Sequence, residues 1–207
     1  MAEVNASKPT TADGRQYHVH CLPGEIAPYC LFVGASARAR MIVDAIVDKH
    51  LGTAKLVNSH RDLYAYTGDY EGMPLSVVTT QIGAPSTGIV MPEAVRCGAR
   101  RIIRVGSCSA LQSEMALGEP IVVIGAVRLE GASKNWVMIE YPAIADRHIL
   151  RAFEDVEGTC DTTVHYGIEA TTDCFQEGQA RPDDGEWVCR RMRFCNEIRI
   201  VRDRIVE

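Results

Sequence analysis

A chain of 207 residues, 46% hydrophobic and 24% charged, is long enough to bury a sizeable core and has the balance of an ordinary α/β protein. Its 27 acidic residues outweigh 22 Lys and Arg, and the formal charge of -5 argues against a nucleic-acid partner while leaving room for a local arginine cluster around a small anion. No apolar run approaches the length of a membrane span, so no membrane partner is expected.

Residues 1–16 are polar and predict a mobile extension with no apolar stretch of a secretory signal. The eight cysteines (21, 30, 97, 108, 160, 174, 189 and 195) contain no Cys-x-x-Cys spacing, so they are expected as reduced thiols of a cytoplasmic protein. Cys30–Val33 is a short apolar run that reads as a buried strand turning at Gly34. Ile42, Val43, Ile46, Val47 and Leu51 give Arg40 to Leu51 the spacing of an amphipathic helix. Asp62 to Tyr70 and the β-branched run Leu75 to Thr80 read as a hairpin turning at Glu71–Pro74. Ile82–Ser86 is a loop, and Thr87 to Arg96 is a helix closed near Gly98. Strands follow at Arg101–Val105, ending in Gly106, and at Pro120–Ile124. Ala143 to Val156 has helical spacing, and Val164 to Ala170 reads as a strand.

The alternation predicts one α/β domain over 17–207. At its centre stands a mixed, mostly parallel twisted sheet flanked by helices, with ligands at the carboxyl ends of its strands. The segment Trp187–Glu207 stays open. Val188, Met192, Cys195, Ile198, Val201 and Ile205 fit a helical face, whereas Ile198 and Ile200 fit a strand. Its six arginines (190, 191, 193, 199, 202, 204) are interspersed with acidic residues 197, 203 and 207, which favours a solvated face over a nucleic-acid patch.

Four segments carry candidate chemistry. In Gly34-Ala-Ser-Ala-Arg38, a glycine lets backbone amides approach an anion that Arg38 could hold, although glycine after a strand is usually only a turn. Ser59-His60-Arg61 offers an arginine whose plainer reading is surface solvation. Arg104 interrupts an apolar strand just before Ser107 and needs a partner there, either a structural ion pair or a phosphate matched by its planar fork. In Cys174-Phe175-Gln-Glu-Gly-Gln179-Ala-Arg181, the Gln179 amide and the Arg181 guanidinium suit a pyrimidine edge, and Phe175 could stack on it; by itself the segment is a polar loop.

Together these segments resemble the uridine phosphorylase branch of the nucleoside phosphorylase family. The resemblance runs from about Tyr17 to Arg181. It rests on Ser59–Asp62, Gln81–Thr87, Arg104–Ser107, Val127–Ser133, Glu140–Asp146 and Phe175–Arg181 in that order. It implies a phosphorylase-like α/β fold and attack of inorganic phosphate on the anomeric carbon of a nucleoside. The phosphate is a co-substrate, and no cofactor and no metal are required.

By position, the resemblance gives Gly34, Arg38 and Arg104 to phosphate and Ser107 to phosphate and ribose. Arg61 reaches a neighbouring subunit's phosphate, and His18 the neighbouring ribose 5′-hydroxyl, with His20 the weaker match. Cys108, Ser109, Phe175, Gln179 and Arg181 line the base site. A cation between subunits in some members would correspond to Asp62, Ile82 and Ser86. Such shared sites imply a homodimer, or a hexamer of dimers.

Three departures stand against the family pattern. Ala35-Ser36 replaces the usual Asp-Pro after the glycine. Ser109 replaces a glycine, which is expected to narrow the base pocket or change its backbone angles. Nothing between Arg181 and Glu207 matches the Glu-Met-Glu-type segment that binds ribose hydroxyls, so the sequence is expected to be truncated before that segment and the helix that follows it.

Overall fold

The computed structural model describes residues 6–48, 54–110, 112 and 114–174, together with the backbone of 203–206. The chain is built as two compact units, Met1–Gly106 and Ser107–Glu207.

The first unit holds a five-stranded sheet. Its strands are β1 (Tyr29–Val33), β2 (Lys55–Asn58), β3 (Ala65–Tyr70), β4 (Met73–Thr79) and β5 (Arg101–Val105), in the order β2-β3-β4-β1-β5. β1 pairs in parallel with β4 on one side and β5 on the other, while β2, β3 and β4 pair antiparallel. The sheet is mixed, as expected, but only two of its four pairings are parallel, because the β3–β4 hairpin and β2 occupy one flank.

Successive side chains of a strand point to opposite faces, and here both faces are covered. Cys30, Phe32, Ala65 and Val78 point to one face and pack with Val90, Ala94 and Cys97 of helix α2 (Ala84–Cys97). Val33, Tyr66 and Val77 point to the other and pack with Ala39 and Val43 of the segment starting in α1 (Ser36–Ile42). Burial on both sides explains why Cys30–Val33 and Val77–Val78 read as continuous apolar runs instead of alternating. Each fully buried Val or Phe in these layers contributes about 1.5–3 kcal/mol.

The first helix begins at Ser36, four residues before the sequence predicts, because Ala35 is already in the extended N-cap conformation directly after the strand turn. It widens into a π-helix over Val43–Asp48. Helix α2 starts at Ala84, with Pro85 in its first turn, where a missing amide costs nothing. It ends at Gly98 (φ 137°), where a Cβ would collide with the carbonyl of Ile26. The same turn is tied down by the Gly24 amide donating to the Cys97 carbonyl at 2.7 Å and the Ala99 amide donating to Ala94 at 3.0 Å.

Residues 10–16, assigned by the sequence to a mobile extension, form a folded loop. Thr10 bridges Gln16, the buried Gln16 accepts from Arg96 at 3.0 Å, and Arg15 pairs with Glu25 at 3.0 Å.

In the second unit, β7 (Ile121–Arg128) pairs in parallel with β9 (His165–Thr171) and antiparallel with β8 (Ala143–Ile144), and β6 (Cys108–Ala110) pairs with β10 (Asp203–Val206). The predicted helix at Ala143 is therefore late: Ala143–Ile144 are edge strand, and α3 runs from Arg147 to Val156. Asp146 sets that boundary, since its carboxylate caps the amides of His148 and Ile149 at 2.8 and 3.2 Å. Asp203–Val206 is strand, and residues 187–202, including Ile198 and Ile200 of the strand reading, lie outside the described residues, as does Glu207. Among the described residues no helix is long and apolar enough to cross a membrane, and the six described cysteines carry free thiols.

Two predictions concern this core. Gly98→Ala should lower unfolding stability by about 3 kcal/mol in urea titrations, because both its φ and the Ile26 carbonyl exclude a Cβ. Burial pushes the Cys21 and Cys30 thiols up to about 12 and Cys97 to about 11, against an ordinary 9.0. The folded chain thus keeps protons that the unfolded chain loses, so urea stability should fall as pH rises from about 9 towards about 12. Cys30→Val should flatten that decline.

Candidate active site

Parallel strands deliver their carboxyl ends to one edge of a sheet. Gly34 leaves the end of β1, Gln81 lies just past the end of β4, and Arg104 is the penultimate residue of β5, in register with Phe32. A Cβ on Gly34 would stand 3.5 Å from the Gln81 carbonyl and 3.8 Å from the Arg104 guanidinium. Arg38, in the first turn of α1, directs its guanidinium to the Val105 carbonyl at 3.5 Å. The Arg104 guanidinium therefore stands beside Gly34, and Arg38 reaches the last residue of β5. Gly34, Arg38 and Arg104, picked from the sequence as phosphate ligands, come together.

His18 and Arg61 form a second group. His18 Nδ1 lies 2.7 Å from Glu93 Oε1, and Tyr17 packs edge-on against the His18 ring at 5.0 Å. Arg61 stacks over the Tyr17 ring at 4.9 Å and donates to its hydroxyl at 3.2 Å. His20 instead stacks on His60 at 4.7 Å, beside a shallow groove lined by Arg15 and Leu56–His60.

No separate role for Gln81 follows from its residue type, yet it joins the two groups. Its carbonyl abuts Gly34, and its side-chain amide donates to the Arg61 carbonyl at 3.0 Å. Only its left-handed backbone (φ 57°) after an extended strand permits this, and no pattern of residue types signals that turn. Buried Glu93 was missed as well, because its partner lies 75 residues away in the chain.

Asp62 is exposed in a left-handed conformation (φ 58°), Ile82 is exposed, and the Ser86 hydroxyl donates to the Thr80 carbonyl at 2.6 Å. Among the described residues no group of three or more His, Cys, Asp or Glu could hold a metal ion.

In the second unit Ser107 precedes β6, which contains Cys108 and Ser109. Ser109 sits in strand backbone, outside the left-handed region. Phe175, Gln179 and Arg181 lie outside the described residues.

A model of the phosphorylase superfamily matches residues 28–197. The chain belongs to the phosphorylase superfamily. Within the superfamily, a uridine phosphorylase of Thermococcus kodakarensis is 41% identical over 179 residues, covering 86% of this chain and 63% of that protein. The uridine phosphorylase of Klebsiella aerogenes is 35% identical over 141 residues, 68% of this chain and 54% of its own length. The chain thus spans less than two thirds of either relative. A guanosine phosphorylase of Halorubrum lacusprofundi is 30% identical over 161 residues. The crystal structure of uridine phosphorylase from Vibrio fischeri superposes with a TM-score of 0.81 at 28% identity, over 95% of this chain and 77% of that one.

Gly98 excludes a Cβ both by its φ and by the Ile26 carbonyl, whereas Gly34 does so by neither. Gly34 lies outside the left-handed region, and its nearest neighbours stand at ordinary contact distance. Gly34→Ala should therefore change unfolding stability by less than about 1 kcal/mol, against the large loss at Gly98. A comparable loss in denaturant titrations would mean that the fold, not the site, requires this glycine.

Proposed function

We propose that this superfamily member catalyses reversible phosphorolysis of uridine to uracil and ribose 1-phosphate, as a cytoplasmic pentosyltransferase of pyrimidine salvage. The observation that carries the reading is the Arg104 guanidinium beside Gly34, with Arg38 reaching the end of the same parallel strand, β5. Two planar cations beside open backbone suit a small tetrahedral dianion, which they bind and aim. The relatives supply the substrate class.

In the proposed reaction a phosphate oxygen bonds to C1′ of the ribose as the bond from C1′ to the uracil nitrogen breaks. The electron pair leaves with the base. Fixing the phosphate on Arg38 and Arg104 removes its translational entropy before the barrier. Gln179 and Arg181 donate to the base oxygens as negative charge builds there, with Phe175 and the Cys108–Ser109 strand lining the base pocket. Ser107 bridges phosphate and ribose. His18 and Arg61 serve the site of a second copy of this chain, which makes a homodimer, or a hexamer of dimers, the working unit. Gln179 and Arg181 favour a pyrimidine over the purine named by the guanosine phosphorylase relative. The reaction needs no cofactor.

The test is loss of uridine absorbance with and without inorganic phosphate. Phosphate-dependent turnover is expected, and turnover without phosphate would overturn the assignment. Arg104→Met should raise the KM for phosphate about 100-fold, the effect of losing two charge-assisted hydrogen bonds. An unchanged phosphate KM would remove Arg104 from the site.

A further inference from the structure

We propose that Glu93 is a positioning residue that fixes His18 as a hydrogen-bond acceptor for the ribose 5′-hydroxyl; the ribose part of this inference rests on the phosphorylase reading above. Glu93 lies on α2 and is 3% exposed. A carboxylate so placed is costly unless donors surround it. Three do. Its Oε2 accepts from the backbone amides of His18 at 3.0 Å and Val19 at 2.7 Å, and its Oε1 faces His18 Nδ1 at 2.7 Å.

The two backbone bonds hold the main chain of His18, so the ring contact is not needed to anchor the loop. The ring contact selects the protonation pattern. A carboxylate has only acceptors, so Nδ1 must carry a proton, and in the neutral ring Nε2 is then the acceptor. Tyr17, packed edge-on at 5.0 Å, holds the ring plane. The imidazole, whose far nitrogen is Nε2, keeps 28% of its side-chain surface accessible, which leaves room for a ligand at the ring. A hydroxyl donating to that nitrogen matches it in geometry and sign.

Glu93→Gln separates the roles. The glutamine carbonyl can still take the two backbone amides, but its NH2 then faces Nδ1 and donates to it. That reverses the tautomer and puts the proton on Nε2. Nitrogen-detected NMR of the labelled full chain reads this directly in the neutral ring. In the wild type the unprotonated His18 nitrogen should be Nε2, and in Glu93→Gln it should be Nδ1.

In turnover, Glu93→Gln should cut the preference for uridine over 5′-deoxyuridine about tenfold. Its rate on 5′-deoxyuridine should stay unchanged. In a His18→Phe background the same substitution should have no further effect on that preference. An unprotonated Nδ1 in the wild type, or equal loss on both nucleosides, would overturn the positioning role. If the wild type turns over no uridine at all, the phosphorylase reading fails, while the wild-type NMR signal still decides whether Glu93 sets the tautomer.

Discussion

Strand β1 is paired in parallel on both edges and buried on both faces, and the site depends on that constraint. A strand in such a position has no freedom of register. A slip of one residue would turn Cys30 and Phe32 away from α2 and Val33 away from α1. Because β1 cannot slip, Phe32 stays opposite Arg104, and Gly34 emerges beside the Arg104 guanidinium. Precision at the strand ends is thus a by-product of a two-sided core.

Around that rigid edge the backbone is less relaxed. Arg61, Asp62 and Gln81 all adopt left-handed conformations without being glycine, as does His20. Each costs about 1–2 kcal/mol. What holds Gln81 and Arg61 is visible: the Gln81 amide on the Arg61 carbonyl, and the Arg61 guanidinium on Tyr17. Strain concentrated in residues that also carry the candidate chemistry fits a surface built to present side chains at fixed angles.

Buried polar groups in the first unit follow the same economy of partners. Ser76, fully buried, accepts from the Ala27 amide at 2.8 Å and shares a hydrogen bond with Thr67 at 2.7 Å. Thr67 in turn reaches the Glu25 carbonyl at 2.7 Å. Glu93 is the charged counterpart, and its three donors draw the Tyr17–Val19 segment onto α2. That contact turns residues near the start of the chain into part of the candidate site.

The sequence by itself determined the strands Cys30–Val33 and Arg101–Val105, the hairpin through Glu71–Gly72, and the helix ending at Gly98. It did so because buried runs, turn residues and caps are written locally. It also singled out Gly34, Arg38 and Arg104, since an arginine in an apolar strand and a glycine after another are conspicuous without any fold. Tertiary structure alone decided the rest. Short edge strands such as Lys55–Asn58 and Ala143–Ile144 carry too few residues to show a period. The left-handed turn at Gln81, the anchoring of residues 10–16, and the pairing of Glu93 with His18 join groups far apart in the chain. Such contacts arise only after the sheet has fixed where each strand ends, so no local pattern of residues can encode them.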